Sequence, residues 1–265
     1  AEELRSSAQS AALSRRQQRG EVDVDAMLAT SEAANCQPLL PGLGCLDYVG
    51  PVERQALGQG RGRGVVAMRA MQPGELFISA RSMGRVVHSP GEATLSERRA
   101  RRLLTEQLEA SAARSAEFAE DLFSLYDGSG RYEADWRPSP WRPKDCNLPT
   151  LDSGSHARVE SIVRYNAHRF PDAPDPKTGR PRPGLGMWLW PPMVNHALEG
   201  ADGEPNCAHI FVGDVMLFRV TRPVAEGEEL LDRYTSPLAT TFDQTREILD
   251  DHGMTAPAYD QRSEA

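Results

Sequence analysis

Two stretches far apart in the chain carry the same pattern. Val65 to Ile78 reads VVAMRAMQPGELFI, and Met216 to Leu231 reads MLFRVTRPVAEGEELL. Each is an apolar run, an arginine, an apolar residue, a spacer, a Gly-Glu pair and a second apolar run. Short apolar runs bounded by turn residues are strand-like, and Gly-Glu supplies a turn. This predicts two β-hairpins, each with a Gly-Glu turn. The residues between them return to helical periodicity, with Leu95, Leu103, Leu104, Leu108, Phe118, Leu122 and Leu125 forming apolar stripes over residues 92–126. Short strands at both ends of a helical stretch make the fold class α+β with small sheets, not a βαβ series.

The remaining organisation follows from punctuation. Residues 1–35 read as helix, with Leu4, Ala8, Ala11 and Leu13 as one weak stripe and Met27, Leu28 and Ala33 as another, until Pro38, Pro41, Gly42 and Gly44 end it. The proline-rich stretches 136–154 and 171–186 read as irregular loops, with Ser161–Phe170 as a short helix between them. Val212-Gly213-Asp214-Val215 is a hairpin signal. No apolar run approaches the roughly 18 residues of a membrane helix, so no membrane span is expected. The formal charge is −8, and bulk electrostatics do not favour direct nucleic-acid binding. Four cysteines, Cys36, Cys45, Cys146 and Cys207, form no CxxC pair. That spacing suits an intracellular, reducing compartment, cytosol or nucleus. The chain begins at Ala1 rather than Met, and a processed N-terminus would instead fit an organelle.

Several clusters invite chemistry. The GQGRGRG stretch from Gly58 to Gly64 satisfies neither GxGxxG nor GxxxxGK, which argues against a dinucleotide or nucleoside triphosphate site. Its glycines still permit close backbone approach to a flat ligand. MVNHALEGADGEPNCAHIF, from Met193 to Phe211, gathers Asn195, His196, Asn206, Cys207 and His209. Zinc bound by His196, Cys207 and His209 would need a spacing that fits no usual pattern. A Cys207 nucleophile with His209 as base would share one strand face, but nothing in the sequence orients His209. Alone, Tyr234 is an ordinary half-buried strand aromatic.

In order, the chain carries GRGRGVVAMRAMQPGELFI, VRYNAH, MVNHALEGADGEPNCAHIFVGDVMLFRVTRPVAEGEELLDRY and REILDDHGM. This series resembles the SET-domain protein lysine methyltransferases, and within them the SMYD and tetratricopeptide-linked SET proteins, over about residues 45–255. The resemblance implies a SET domain, small sheets of short strands with a pseudoknot. It divides the chain into an N-terminal helical extension (1–50), the N-terminal part of the SET domain (51–80), a helical insertion with a Pro-rich loop (81–170), the C-terminal part (171–238), and a C-terminal helix and tail (239–265). It implies S-adenosylmethionine as cofactor. Asn195 would bind the cofactor's amino-acid end and His196 would meet its adenine through main-chain groups. Arg61, Gly62 and Arg63 would line the other side, and Asn166 would be a further cofactor-binding residue. Tyr234 would be the catalytic tyrosine beside the transferred methyl group.

The chain departs from that subgroup in one patterned way. The subgroup reads Asn-His-Ser-Cys and later carries a C-x-C pair, cysteines that bind a structural zinc. Here Leu198, Ala256 and Ala258 stand at those positions, so no zinc and no other metal site is expected. Met254 stands where the family has an aromatic that packs on the cofactor, and Glu199–Glu204 widens the Asn-His loop. Two functions follow from the resemblance. One is an S-adenosylmethionine-dependent protein lysine N-methyltransferase, whose partner is a protein with a lysine side chain. The alternative is a catalytically weak or inactive SET-fold subunit with a structural role among the neighbouring subunits of a larger complex. A peptide-binding module using the lysine groove is a third, weaker idea.

Overall fold

The structure is a computed structural model that describes residues 15–16, 21, 47–57, 62–88, 95–128, 155–172, 178–179, 182–197 and 204–234. In chain order the strands are β1 (Tyr48–Val49), β2 (Val52–Leu57), β3 (Gly62–Ala67), β4 (Leu76–Arg81), β5 (Gly84–Val86), β6 (His168–Asp172), β7 (Arg182–Met187), β8 (Asn195–His196), β9 (Cys207–Val212), β10 (Val215–Val220) and β11 (Leu231–Asp232). Helices α1 (Glu97–Ala112), α2 (Ala116–Phe123) and α3 (Ser155–Asn166) lie between β5 and β6. Among the described residues the strands form four small sheets, ordered β1-β4-β10-β9, β2-β3, β5-β7-β6 and β8-β11. The last is a parallel pair, with Leu231 opposite Asn195 and Asp232 opposite His196. This is the α+β arrangement of short strands expected from the sequence.

The repeated units are not hairpins. Within each unit the two apolar runs go to different sheets, and the two units pair with each other instead. Met71 pairs with Val224, each three residues before its Gly-Glu turn. Gly74 N donates to Val220 O at 2.7 Å, and Gly227 N donates to Ala67 O at 2.8 Å. Val220 N to Glu75 O (3.0 Å) is matched by Ala67 N to Glu228 O (2.9 Å). The glutamates repeat the relation, because Gln72 N donates to Glu75 Oε2 and Ala225 N to Glu228 Oε2. The copies are thus related by a local two-fold axis through Met71 and Val224. Both turns need glycine, with φ of 86° at Gly74 and 80° at Gly227. Burial explains why local hairpins lose. β4 and β10 are buried at nearly every position, and a lone two-stranded hairpin cannot cover such strands. Packed together, Leu217 faces Ser79 and Phe218 faces Ile78 across the ladder. The Gly213-Asp214 signal does close a two-residue hairpin between β9 and β10, with Gly213 at φ 60°.

The helical stretch 92–126 divides into α1 and α2 at Ala113–Ser115. Ser96 caps α1 through its hydroxyl and the Arg99 amide, and Ser115 caps α2 through Phe118 N at 3.2 Å. The apolar stripe turns inward, burying Leu104, Leu108, Leu122 and Leu125 against Val159 and Ile162 of α3 in one core with Phe77, Met187 and Trp188. We expect Ser115→Ala to lower stability by about 1 kcal/mol, the usual cost of a lost N-cap, as read by urea denaturation.

Two expectations are corrected downstream. The short helix is Ser155–Asn166 rather than Ser161–Phe170, and a strand begins at His168. The proline-rich stretch 171–186 is not wholly irregular, because β6 runs to Asp172 and β7 starts at Arg182. The cause is ring packing. A Cβ on Gly184 would meet the Phe170 ring at 2.4 Å, and one on Gly186 would meet the Trp188 ring at 2.6 Å. Gly184 and Gly186 are the space two aromatic rings occupy, and the prolines that read as loop residues, Pro171 and Pro183, stand opposite each other in the ladder. The expectations for residues 1–35 (apart from helical Arg15 and Arg16 and non-helical Glu21), for 136–154 and for 239–265 lie outside the described residues.

Candidate active site

β3 brings the Gly-rich segment against the Asn-His segment. Asn195 Nδ2 donates to Arg63 O at 2.8 Å and to Glu229 Oε1 at 2.9 Å. The contact is close because position 64 lacks a side chain. A Cβ there would lie 2.6 Å from Glu229 Oε1 and 2.9 Å from Asn195 Nδ2. Gly62 opens β3 at φ 74°, opposite Leu57. The Arg63 guanidinium turns toward the helical insertion and donates twice to Ser124 O at 3.1 Å. Arg61 lies outside the described residues.

The parallel β8-β11 pair sets Tyr234 against His196. Ala197 N donates to Asp232 O, and Tyr234 N donates to His196 Nδ1 at 2.9 Å. The two rings lie 5.0 Å apart. The Tyr234 hydroxyl donates to Val194 O at 2.7 Å. Burial pushes this phenol above its ordinary range, with the charges of Asp232 and Glu229 adding to the effect. It is therefore a neutral hydrogen-bonding group at neutral pH, not a phenolate base.

Asn206 holds this knot together. It is 1% exposed. Its Nδ2 donates to Glu229 O (2.7 Å) and Glu228 Oε1 (3.1 Å), and its Oδ1 accepts from Leu231 N (2.8 Å). A buried amide with both ends engaged fixes the backbone on either side of Glu229.

Asn166 sits at the end of α3, buried, with Nδ2 donating to Tyr126 O and Ile162 O, both at 2.7 Å. Its chain neighbours Tyr165, Ala167 and His168 line a cavity of about 160 Å³ together with His209 and Tyr234. His168 and Tyr234 make an edge-on ring contact at 6.5 Å.

The metal and nucleophile alternatives come out differently. Among the described residues no group of three or more His, Cys, Asp and Glu side chains is arranged to hold a metal ion. Cys207 is 2% exposed, and burial, with Asp232 adding, pushes its thiol well above the ordinary value. A thiolate nucleophile is disfavoured there. His209 does have an orienter that the sequence did not reveal, since its Nδ1 lies 2.5 Å from Asp232 Oδ2. Glu229 and Asp232 were the residues missed. Glu229 follows the Gly227-Glu228 turn with no sign of its role in the sequence, and it is the carboxylate that holds Asn195. The signal for Asp232 was an acidic residue inside an apolar strand, two residues before Tyr234.

Comparison with known proteins adds the family. No curated protein matches the chain. The chain is similar to a candidate histone methyltransferase of Plasmodium falciparum whose crystal structure is known, at 10% sequence identity over 72% of this chain and 98% of that one, with a TM-score of 0.31. That likeness is too distant to bear on function. The family model described as "SET domain" matches residues 62–235, from the first residue of β3 to just past Tyr234. The chain belongs to the SET domain family, whose members are usually protein lysine methyltransferases.

Proposed function

We propose that this protein is an S-adenosylmethionine-dependent protein lysine N-methyltransferase, closest to the SMYD and tetratricopeptide-linked SET proteins and lacking their post-SET zinc cysteines. The observation that carries the transferase assignment is the meeting of β3, β8 and β11, which gathers Arg63, Asn195, His196 and Tyr234 into one knot. Support for the absence of zinc comes from Leu198, Ala256 and Ala258, which lie outside the described residues.

The polar groups fit such a cofactor. The carbonyls of Arg63, Tyr126 and Ile162 and the Glu229 carboxylate are all acceptors. They therefore orient the amides of Asn195 and Asn166 with nitrogen toward the protein. Each asparagine is left with its carbonyl oxygen, an acceptor suited to the cofactor's ammonium group. Asn195 and Asn166 would hold the amino-acid end, and the backbone of Gly62 and Arg63 with that of His196 would hold the nucleoside. When bound, the cofactor supplies an electrophilic methyl group on a positively charged sulfur.

The rest belongs to the chain's own residues. The cavity at Tyr234 is smaller than the roughly 300–1,000 Å³ pockets that take drug-sized ligands, and it suits the end of a lysine side chain. In-line displacement depends on alignment, which can supply much of the rate. The Tyr234 hydroxyl gives its proton to Val194 O, so it would meet the substrate amine as an acceptor and orient it. That amine must be neutral to attack, and for a free lysine of pKa about 10.4 this costs about 4.6 kcal/mol at pH 7. A narrow enclosure lowers the cost by disfavouring the ammonium form.

Calorimetric titration with S-adenosylmethionine, followed by single-turnover methyl transfer in wild type and Tyr234→Phe, tests this function. Binding and transfer are expected, with the variant at least about tenfold slower, or about 1.4 kcal/mol in barrier. The variant also leaves Val194 O without its donor, so a small loss of stability should accompany it. Binding without transfer to any lysine substrate would return the weight to a SET-fold subunit of a larger assembly. No binding would remove the cofactor from the proposal. An intracellular, reducing compartment is part of the same proposal, supported by the free, buried Cys207.

A further inference from the structure

We infer that the lysine accepted at Tyr234 lies beside acidic residues of its own protein, and that an arginine groove between α1 and α3 reads them. This rests on the cavity at Tyr234 being the lysine channel. The cavity is lined at one side by Glu97, Arg101, Arg164 and Arg169. Glu97, Arg101 and Arg164 also line a second, open groove of about 800 Å³, so cavity and groove share a wall. The groove adds Arg98, Arg99 and Arg102 from α1 and Glu160 from α3, giving five arginines against two carboxylates. In a chain of formal charge −8 this is a local reversal of sign.

Both of those carboxylates are already engaged, Glu160 with His156 at 3.6 Å, and Arg102 pairs with Glu106 at 3.5 Å. Glu97 pairs with Arg101 at 2.6 Å and also with Arg169. Arg98, Arg101 and Arg102 fall at i, i+3 and i+4, on one face of α1. Arg98 and Arg99 are exposed, and among the described residues no carboxylate pairs with either. Guanidinium forks on a shared helix face favour planar carboxylates, which they bind through two parallel hydrogen bonds.

Length and charge select a peptide over a nucleic acid. From Arg98 to Arg102 α1 advances about 6 Å at 1.5 Å per residue, the span of about two residues of extended chain. A short acidic cluster fits inside that distance. A phosphate backbone would run on over a surface of net negative charge, and the adjoining cavity holds a side chain rather than a stack of bases. The partner is thus a protein segment in which two or three Asp or Glu residues flank the target lysine.

The test uses fluorescence anisotropy on the full chain with four labelled probes. Three are peptides of equal length with one central lysine, flanked by glutamates, by glutamines or by arginines. The fourth is a single-stranded oligonucleotide of matched charge. The glutamate peptide is expected to bind at least about tenfold tighter than the glutamine peptide at low salt, with the preference shrinking as salt rises. The paired variant Arg98→Glu/Arg102→Glu should abolish the preference, and Arg98→Gln/Arg102→Gln should reduce it. Equal binding of the glutamate and glutamine peptides, or tighter binding of the arginine peptide, overturns the inference. Tighter binding of the oligonucleotide also overturns it and assigns the groove to nucleic acid. Methyl transfer is measured separately. A glutamate peptide that binds with the stated preference but is never methylated counts against the transferase reading and upholds the groove. Transfer to the arginine peptide alone upholds the enzyme and overturns the groove.

Discussion

Gly64→Ala is expected to cost the protein its cofactor site while leaving most of its fold. The new Cβ would meet Glu229 Oε1 at 2.6 Å, Leu57 Cδ1 at 2.7 Å and Asn195 Nδ2 at 2.9 Å. All three are ends of side chains, so the strand can stay paired with β2 while those groups swing away. The backbone cost should be about 1 kcal/mol, at the low end for overpacking. Two of the displaced atoms, however, are partners in the hydrogen bond that aims Asn195. Once the Asn195 amide is free to rotate, its oxygen is no longer presented to the cofactor's ammonium. Affinity for S-adenosylmethionine should fall at least about thirtyfold, or about 2 kcal/mol. Calorimetry and urea denaturation of the same variant separate the two effects. Unchanged affinity in a folded variant would show that Asn195 does not hold the cofactor.

That split between fold and site also marks what was readable in the chain. Asn195 and His196 stood out because polar residues among would-be strands are conspicuous, Tyr234 entered only through the family resemblance, and the structure brings the three together. The repeated Gly-Glu unit was readable as strands and turns, because period and turn chemistry are local properties. Its pairing was not, because whether a strand pairs with its neighbour or with a copy far along the chain is decided by burial of both faces. The stretch 171–186 read as loop on its prolines, and its glycines gave no contrary sign. Glycine is both a turn residue and the only residue that leaves room for a ring, and the rings of Phe170 and Trp188 are met only after folding. The arginines of α1 only separate its apolar positions in the sequence, as charged residues do in any amphipathic helix. Their alignment with Arg164 into one groove depends on the packing of α3, which carries no sequence mark. Arg61, Leu198, Ala256 and Ala258, on which part of the resemblance turns, lie outside the described residues.

The contact that sequence left dark carries the largest expected effect on stability. Asp232 is 3% exposed, and its carboxylate sits 2.5 Å from His209 Nδ1. Removing one partner of a buried pair strands the other without water or a counter-group, at a typical cost of 3–5 kcal/mol. His209 keeps 24% of its side chain exposed, which lets some water reach the carboxylate in its absence. His209→Leu should therefore destabilise the protein by about 3 kcal/mol, the low end of that range. Leucine fills much of the imidazole's volume against Phe211 and Phe218, so the loss reports the stranded charge rather than a cavity. Asp232→Asn in the same background removes that charge and should recover more than 1 kcal/mol, a coupling expected only of groups in direct contact. Urea denaturation of the two single variants and the double variant gives the cycle. Additive losses would mean that the pair is incidental to stability. A double variant more stable than His209→Leu alone would establish that the single variant loses its stability through the contact between Asp232 and His209.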